Sequence, residues 1–129
     1  MANITLTSIV PWLNVRNSIK ALAFYKSAFE AMETFHLDGD DGSIVAKLSI
    51  AGAEFWIGEE SSDAGNTSPQ SLNGTSVRII LSVDNPDEVF AKALHAGASE
   101  IFPIGEEHGW RLGKLIDPFG HCWEIGKPV

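Results

Sequence analysis

Hydrophobic and polar residues alternate along two segments that lie in different halves of the chain. In the first segment one face carries Ile9, Leu13 and Val15, and the other carries Val10, Trp12 and Asn14. In the second segment the two faces carry Val77, Ile79, Leu81 and Val83 on one side and Arg78, Ile80 and Ser82 on the other. Alternation with a period of two is typical of a strand that has one face against a core. Each half is therefore predicted to open with a β-strand.

A helix is predicted after each of these strands. Asn17 is a suitable N-cap for a first helix over residues 18–30. The second helix has a clearer start, because Asn85 precedes Pro86 at the first helical position and two acidic residues follow. Gly97 is predicted to end it. Apolar stripes at helical spacing comprise Ile19, Leu22, Ala23, Lys26 and Phe29 in the first helix and Val89, Phe90, Ala93 and Leu94 in the second.

Three short strands complete each half of the chain. The predicted strands cover residues 32–37, 43–50 and 54–58 in the first half, and residues 100–103, 111–116 and 121–126 in the second. Turn-forming sequences separate some of them, at residues 38–42 (Asp-Gly-Asp-Asp-Gly) and 117–120 (Asp-Pro-Phe-Gly). Each half is therefore predicted to be a βαβββ unit.

The two units follow one pattern. A shift of 68 residues aligns the halves almost without gaps and places Asn17 on Asn85 and Gly52 on Gly120. An internal repeat of this length indicates a duplicated supersecondary unit. We predict a single domain over residues 1–129, with unit one at about 1–58 and unit two at about 75–129. The intervening residues 59–74 are rich in Ser, Gly, Asn and Asp and are predicted to form a mobile linker.

The predicted fold class is α+β, with two βαβββ modules whose curved mixed sheets form an open cup and whose helices lie on the outside. One helix covers only one face of a four-stranded sheet, so the uncovered faces are expected to pair or to curl into a shared concave surface. Concave surfaces are where small-molecule sites are usually found.

Composition and charge narrow the class of protein. With 129 residues, 44% hydrophobic and 20% charged, the sequence is typical of one soluble globular domain. The single cysteine, Cys122, makes no internal disulfide, and no signal peptide or membrane-length apolar run is evident, so we expect a cytoplasmic protein. The net charge of −8 disfavours nucleic acid and anionic membrane surfaces as partners. It gives a slight preference for a cationic ligand.

The last predicted hairpin carries a more specific pattern. Residues 110–125 read Trp-Arg-Leu-Gly-Lys-Leu-Ile-Asp-Pro-Phe-Gly-His-Cys-Trp-Glu-Ile. A glycine followed by Asp-Pro-Phe-Gly-His closely resembles the last hairpin of PhnB-like proteins, a branch of the vicinal-oxygen-chelate superfamily. That superfamily includes glyoxalase I, extradiol dioxygenases and bleomycin-resistance proteins. Residues 10–13 (Val-Pro-Trp-Leu), together with Phe24 and Tyr25, resemble the same branch. The resemblance spans the chain and implies paired βαβββ units.

The resemblance also implies four positions for metal ligands, one on the first and one on the last strand of each unit. In this sequence they are Val10, Trp56, Arg78 and Glu124. Metal-using relatives hold His, Gln or Glu there, which suit divalent ions. Only the carboxylate is a suitable donor, because the guanidinium is a permanent cation. The histidines fall on none of these positions; they are His36, His95, His108 and His121. We therefore predict no metal site and no cofactor.

The two implied ligand positions of unit two converge, which brings Arg78 towards Glu124. An Arg–carboxylate pair offsets the penalty of burying either charge alone. One interpretation is that this pair replaces the metal as a link between strands, and the other is that Arg78 extends into solvent. Both remain open at this point. Glu124 is also a weak candidate for a general base, because a neighbouring guanidinium favours its ionised and weakly basic form.

The remaining candidate ligand-binding residues follow from strand alternation and from the four tryptophans. Trp123 is predicted to face the core, and residues 105–111 are predicted to form a loop at the rim of the cup. Flat indole rings suit aromatic or cationic ligands, but they also suit a dimer interface, and both interpretations stay open. Cys122 is expected to be a packed residue more than a reactive thiol. The candidate set is Trp12, Asn14, Lys47, Trp56, Arg78, Trp110, Arg111, Cys122 and Glu124.

Two classes of function follow from these observations. The first is a metal-free, small-molecule-binding protein of the glyoxalase/bleomycin-resistance type that sequesters its ligand and forms a homodimer. The second is a metal-dependent lyase, isomerase or dioxygenase, which the resemblance implies but which needs three protein ligands and an open coordination position. The sequence favours the first class and leaves open whether any reaction is catalysed. A structural subunit whose cup forms only an interface is a further alternative.

Overall fold

Two four-stranded sheets and their covering helices make up the fold. The computed structural model describes residues 3–129, so residues 1 and 2 of the predicted first unit lie outside the described residues. Unit one contains β1 (Trp12–Val15), α1 (Ser18–Phe29), β2 (Met32–Asp38), β3 (Ile44–Ile50) and β4 (Ala53–Glu59). A short helix α2 (Pro69–Leu72) follows. Unit two contains β5 (Arg78–Ser82), α3 (Pro86–Ala96), β6 (Ser99–Glu107), β7 (Trp110–Ile116) and β8 (Cys122–Pro128).

The two sheets have the same strand order. The first runs β1-β4-β3-β2 and the second runs β5-β8-β7-β6. In each sheet the first and last strands of the unit pair in parallel, and the other pairs are antiparallel. Register is also equivalent, because Trp12 pairs with Trp56 and Ile80 pairs with Glu124. The predicted α+β class with duplicated βαβββ units is confirmed.

The helices begin and end as the sequence predicts. The Asn17 side chain accepts a hydrogen bond from the backbone N–H of Lys20, and Asn85 does the same for Glu88. These bonds satisfy N–H groups that have no partner within the helix. Gly97 ends α3. Among residues 3–129, no helix has the length and apolarity that crossing a bilayer requires.

One hydrophobic core joins both units. The sheet faces that α1 and α3 cover contribute alternate residues to a single buried cluster, and the two helices contact each other. Trp123 on β8 lies at its centre, with ring centroids 4.8 Å from Phe29 on α1 and 5.6 Å from Phe55 on β4. The predicted core position of Trp123 is therefore confirmed. The faces that the helices leave uncovered lie away from this core.

A buried carboxylate fixes the turn between β7 and β8. Asp117 accepts hydrogen bonds from the Tyr25 hydroxyl on α1 and from the Trp123 indole N–H at 2.9 Å. It also accepts the backbone N–H groups of Phe119 at 2.8 Å and His121 at 3.1 Å. Four donors compensate the loss of hydration that a buried carboxylate suffers. The Asp-Pro-Phe-Gly-His sequence therefore holds a turn and links the two units.

The polar segment over residues 59–74 is more ordered than its composition predicts. It contains a single turn of 3-10 helix (Ser62–Ala64) and the short helix α2. Glu60 accepts hydrogen bonds from the Ser68 backbone N–H at 3.0 Å and from the Ser71 hydroxyl at 3.0 Å. Ser68 and Pro69 are buried, and Pro69 packs beside Gly120. These contacts give part of the predicted linker a defined structure.

Two strand boundaries differ from prediction. β1 begins only at Trp12, because Pro11 has no N–H to donate, although its carbonyl accepts the Trp56 N–H at 2.8 Å. Ile9 therefore lies before the strand and is 96% exposed, instead of facing the core. β6 and β7 form one continuous hairpin around His108 and Gly109, both with positive φ, as a tight two-residue turn requires. The predicted loop over residues 105–111 was wrong.

Candidate functional site

The candidate site lies on the face of each sheet that the helices leave uncovered, called here the open face. Residues paired in register across neighbouring strands share a face. One cross-strand row therefore runs over the open face of each sheet. The row of unit one is Phe35, Lys47, Trp56 and Trp12. The row of unit two is Phe102, Lys114, Glu124 and Ile80. Each row begins with a phenylalanine and a lysine, and the other two positions differ.

Three aromatic rings dominate the row of unit one. Trp12 and Trp56 stack with ring centroids 5.5 Å apart and planes 15° apart. Phe35 meets Trp56 edge-on at 5.5 Å. The indole of Trp12 is 48% exposed and lies over Gly58, where a Cβ would come within 2.7 Å of the ring. Gly58 therefore makes room for the stack, which presents a flat apolar surface to solvent.

Lys47 and Asn14 complete the open face of unit one. The Lys47 ammonium lies 5.5 Å from the Trp56 ring centroid and 3.5 Å from the Glu54 carboxylate. Its charge is thus compensated within the sheet. The Asn14 amide nitrogen donates to the Thr67 carbonyl at 3.5 Å, and its Oδ1 atom is buried without a hydrogen-bond partner among residues 3–129. That oxygen is an acceptor for any donor that reaches it.

Arg78 and Glu124 form the ion pair that the sequence suggested. A guanidinium nitrogen of Arg78 lies 3.3 Å from a carboxylate oxygen of Glu124. The contact is a single hydrogen bond, and the Arg78 side chain is 61% exposed whereas that of Glu124 is 11% exposed. Both interpretations of Arg78 are therefore partly right, because it pairs with Glu124 and also extends towards solvent.

Cys122 lies beside this pair on the open face of unit two, in register with Arg78. The thiol is buried. Burial is the main reason why the pKa of Cys122 is raised above its ordinary value, and the charges of Lys114 and Arg78 oppose that shift. A raised pKa keeps the group protonated at neutral pH, so it is a packed thiol without nucleophilic character.

The residues at the four implied ligand positions do not suit a divalent ion. Val10 precedes β1, Trp56 has no metal donor, and Glu124 is paired with a guanidinium. Within residues 3–129, no group of three or more His, Cys, Asp or Glu side chains is arranged to hold a metal ion. Two histidines have other partners. His121 Nε2 lies 2.9 Å from the Asn14 carbonyl, and His36 lies between two carboxylates.

Arg111 is the one candidate that the structure removes from the site. It lies on the covered face, where its guanidinium donates to both Asp87 carboxylate oxygens at 2.7 and 2.6 Å. Asp87 is in the first turn of α3, and the hydrogen bond from Arg111 is the main cause of its lowered pKa. The prediction was wrong because residues 105–111 are strand and turn, and alternation along β7 then separates Arg111 from Trp110.

Lys114 is the functional candidate that sequence reasoning missed. It occupies the open face between Phe102 and Glu124, and its ammonium lies 5.9 Å from the Phe102 ring centroid. The available signal was alternation within the predicted strand 111–116, because the 68-residue shift places Lys47 on Leu115, one residue away from the equivalence that the sheets show. Lys114 lines two adjoining depressions of about 580 and about 550 Å³. Trp110 lines the second.

A third depression connects the two units. It has a volume of about 500 Å³ and lies where the β1 and β5 edges approach each other. Trp12 from unit one and Arg78 and Ile80 from unit two line it, together with His121. The structure therefore brings candidate residues of both units to one place.

Comparison with known proteins identifies relatives over nearly the whole chain. No family model matches. The protein Mb0911c of Mycobacterium bovis is 35% identical over 127 residues, which cover 95% of this chain and 84% of that protein.

Solved structures with the same fold include three informative neighbours. TioX from Micromonospora sp. ML1 has a TM-score of 0.74 at 21% identity, covering 95% of this chain and 99% of that one. The Arabidopsis thaliana gene product At5g48480 has a TM-score of 0.73 at 27% identity, covering 95% and 100%. The fosfomycin resistance protein FosX from Listeria monocytogenes, solved with Mn(II) and sulfate, has a TM-score of 0.72 at 19% identity, covering 98% and 95%. At these identities, TioX and FosX inform on fold alone.

Proposed function

Because the chain belongs to the vicinal-oxygen-chelate superfamily, we propose that it is a metal-free protein that binds and sequesters a small molecule. It would thus resemble the bleomycin-resistance type of the superfamily more than its metalloenzymes. The Asp-Pro-Phe-Gly-His sequence supports assignment to the PhnB-like branch. The expected location is the cytoplasm, which the single buried thiol supports.

The observation that carries this proposal is the contact between Arg78 and Glu124. These residues hold two of the four positions at which the resemblance implies metal ligands, and a guanidinium placed 3.3 Å from the carboxylate repels a divalent ion. The pair instead joins β5 to β8 by a hydrogen bond. The carboxylate of Glu124 is engaged in this way, so we assign no catalytic residue.

The binding surface of the proposal is the stacked pair of Trp12 and Trp56. Indole rings offer large apolar contact to a planar ligand, and stacking of aromatic rings adds about 0.5–1.5 kcal/mol beyond area burial. Phe35 extends this surface along the row. The neighbouring depression at the β1 and β5 edges gives the ligand contact with both units.

We also propose that two copies of the chain associate through their open faces, so that the ligand-binding surface lies in a cup shared by the two chains. Large apolar side chains are exposed there, and water-exposed apolar patches of this kind mark interaction surfaces. The exposed residues are Trp12, Met32, Phe35, Leu37, Ile80, Ile101, Phe102 and Trp110. Light scattering on the purified chain is expected to give twice the mass of one chain, and the mass of a single chain at micromolar concentration would contradict the homodimer.

Calorimetric titration with 2-naphthamide, a neutral planar probe, tests ligand binding. We expect saturable binding to the wild-type chain and at least about tenfold weaker binding to Trp12→Leu, because the flat stacking surface is lost. Leu72→Ala is the matched control, because Leu72 is exposed on α2 away from the rows. Absence of saturable binding would contradict the proposal.

Elemental analysis of the same preparation tests the alternative of a metal-dependent lyase, isomerase or dioxygenase. The proposal predicts no stoichiometric divalent metal and no rise in melting temperature with Mn²⁺, Zn²⁺ or Ni²⁺. About one metal ion per chain, lost in Glu124→Gln, would overturn the metal-free assignment and support the enzyme.

A further inference from the structure

We propose that the open face of unit two binds the carboxylate of an aromatic organic acid, with Lys114 as the side chain that recognises the anion. This inference rests on the proposed function and specifies the class of ligand for the same protein. The open face of unit two carries a positive charge at Lys114, although the whole chain has a net charge of −8.

Among residues 3–129, three basic side chains lie on the open faces, and two of them are already paired. Lys47 lies 3.5 Å from Glu54, and Arg78 lies 3.3 Å from Glu124. Within residues 3–129, no carboxylate comes within the ion-pair distance of 4.0 Å of the Lys114 ammonium. Glu124, its neighbour across the strand, is bonded to Arg78 instead. Lys114 therefore contributes an uncompensated positive charge in the middle of the sheet.

The surroundings of Lys114 make an anion favourable there. The side chain is half-buried, so part of the hydration of its ammonium is lost. The Phe102 ring, 5.9 Å away, interacts with one side of the cation but supplies no full negative charge. A carboxylate on the free side would form a charge-assisted hydrogen bond, which is stronger than a neutral one.

The two depressions that meet at Lys114 suit the two ends of such a ligand. The one of about 580 Å³ also contains Arg78 and the hydroxyl-bearing Thr75 and Ser76, which are donors for carboxylate oxygens. The one of about 550 Å³ includes Phe102, Trp110 and Leu112, which suit the aromatic ring of the ligand. Glu106, Glu107 and Glu124 also line it, so the ligand's carboxylate belongs in the other depression. A single positive charge matches a monoanion such as a carboxylate better than a doubly charged phosphate.

The net charge of −8 does not oppose this assignment at the site. At physiological ionic strength, charges more than about 8 Å apart are largely screened, so the nearby charges determine the preference. Among residues 3–129, Lys114 and Arg78 line the depression of about 580 Å³ and no carboxylate does. The slight preference for a cationic ligand, which came from the total charge, is thereby reversed for this face.

Calorimetry with three probes of one ring system tests the inference: 2-naphthoate, 2-naphthamide and 2-naphthylmethylammonium. We expect 2-naphthoate to bind the wild-type chain at least about fivefold more tightly than either other probe. Lys114→Gln is expected to weaken 2-naphthoate about tenfold and 2-naphthamide less than about twofold, as the loss of one charged hydrogen bond predicts. Lys114→Arg should retain most of the affinity, and Lys20→Gln on α1 is the matched control.

The outcomes separate this inference from the proposed function. If 2-naphthoate binds no better than the neutral and cationic probes, or if Lys114→Gln behaves like Lys20→Gln, the inference is overturned while binding of 2-naphthamide still supports the proposed function. If none of the three probes binds, both fail. A thermal melt of each variant establishes whether it is folded. If Lys114→Gln is unfolded, Lys114→Arg still tests the inference, because a loss of the preference for 2-naphthoate in this folded variant would contradict recognition by a positive charge.

Discussion

The indole ring of Trp12 lies against Gly58, so close that a Cβ on residue 58 would come within 2.7 Å of the ring. Gly58→Ala is therefore expected to displace Trp12 from its stack with Trp56. Inserting a methyl group into such a tight contact costs about 1–3 kcal/mol. Urea unfolding followed by tryptophan fluorescence measures the loss.

Trp12→Ala is the control background for this prediction. With the indole removed, Gly58→Ala should change the free energy of unfolding by less than about 0.5 kcal/mol, as expected for a substitution without a steric conflict. An equal loss in both backgrounds would mean that Gly58 serves the strand itself and not the indole.

Removal of Arg78 tests the ion pair with Glu124. Arg78→Ala leaves a mostly buried carboxylate without its partner, and we expect a destabilisation of about 1–2 kcal/mol. This is less than for a fully buried pair, because Arg78 is largely exposed. In the Glu124→Gln background the same substitution should have little effect. A double-mutant cycle by thermal melting with no coupling energy would eliminate the pair as a structural link.

The single tyrosine provides a pH prediction. Burial, reinforced by the Asp117 charge and hydrogen bond, raises the pKa of Tyr25 well above its ordinary value of about 10. The folded chain then holds this proton more tightly than the unfolded chain does. The corresponding stability is fully present below pH 10 and declines as the pH rises from there towards the folded-state pKa.

Absorbance at 295 nm measures this ionisation directly, since the chain has one tyrosine. At pH 10.5, native protein should show almost no tyrosinate band, and protein unfolded in guanidinium should show most of it. A native titration curve that coincides with the unfolded one would contradict the buried hydrogen bond between Tyr25 and Asp117.

Asp117 is expected to be far more sensitive to substitution than acidic residues on the surface. Asp117→Ala deprives four donors of their acceptor, two of them the buried Tyr25 hydroxyl and Trp123 indole N–H. We expect a loss of at least about 3 kcal/mol, because each unsatisfied buried donor costs about 1–3 kcal/mol. Asp84→Ala, at an exposed position, should be within about 0.5 kcal/mol of wild type. Similar melting temperatures for the two variants would contradict this role.

The sequence was sufficient for the fold because its signals are local and repeated. Alternation in β1 and β5, the Asn17 and Asn85 caps, and the 68-residue shift each specify part of a βαβββ unit. The boundary errors have local causes as well. Pro11 shortened β1, and the two-residue turn at 108–109 was concealed because His108 adopts a left-handed conformation that is more usual for glycine or asparagine.

The site was less predictable because it depends on which strands become neighbours. Alternation alone placed Trp12, Lys47 and Trp56 on one face, as the structure has them. The false loop over residues 105–111 assigned Arg111 to the site. Lys114 was missed, although the predicted strand 111–116 contains it, because its partners come from two other strands. The order within residues 59–74 was also missed, since the carboxylate of Glu60 binds serines that are distant enough in sequence to leave no periodic signal.

The two open-face rows share their first half and differ in their second. Both units have a phenylalanine and a lysine at the first two positions of the row. The last two positions hold two tryptophans in unit one and a glutamate and an isoleucine in unit two. Duplication has thus produced halves of equal architecture and unequal chemistry. Substitutions in unit one can change ring stacking without altering the charges in unit two. The apolar and the ionic contacts with a ligand can therefore evolve independently.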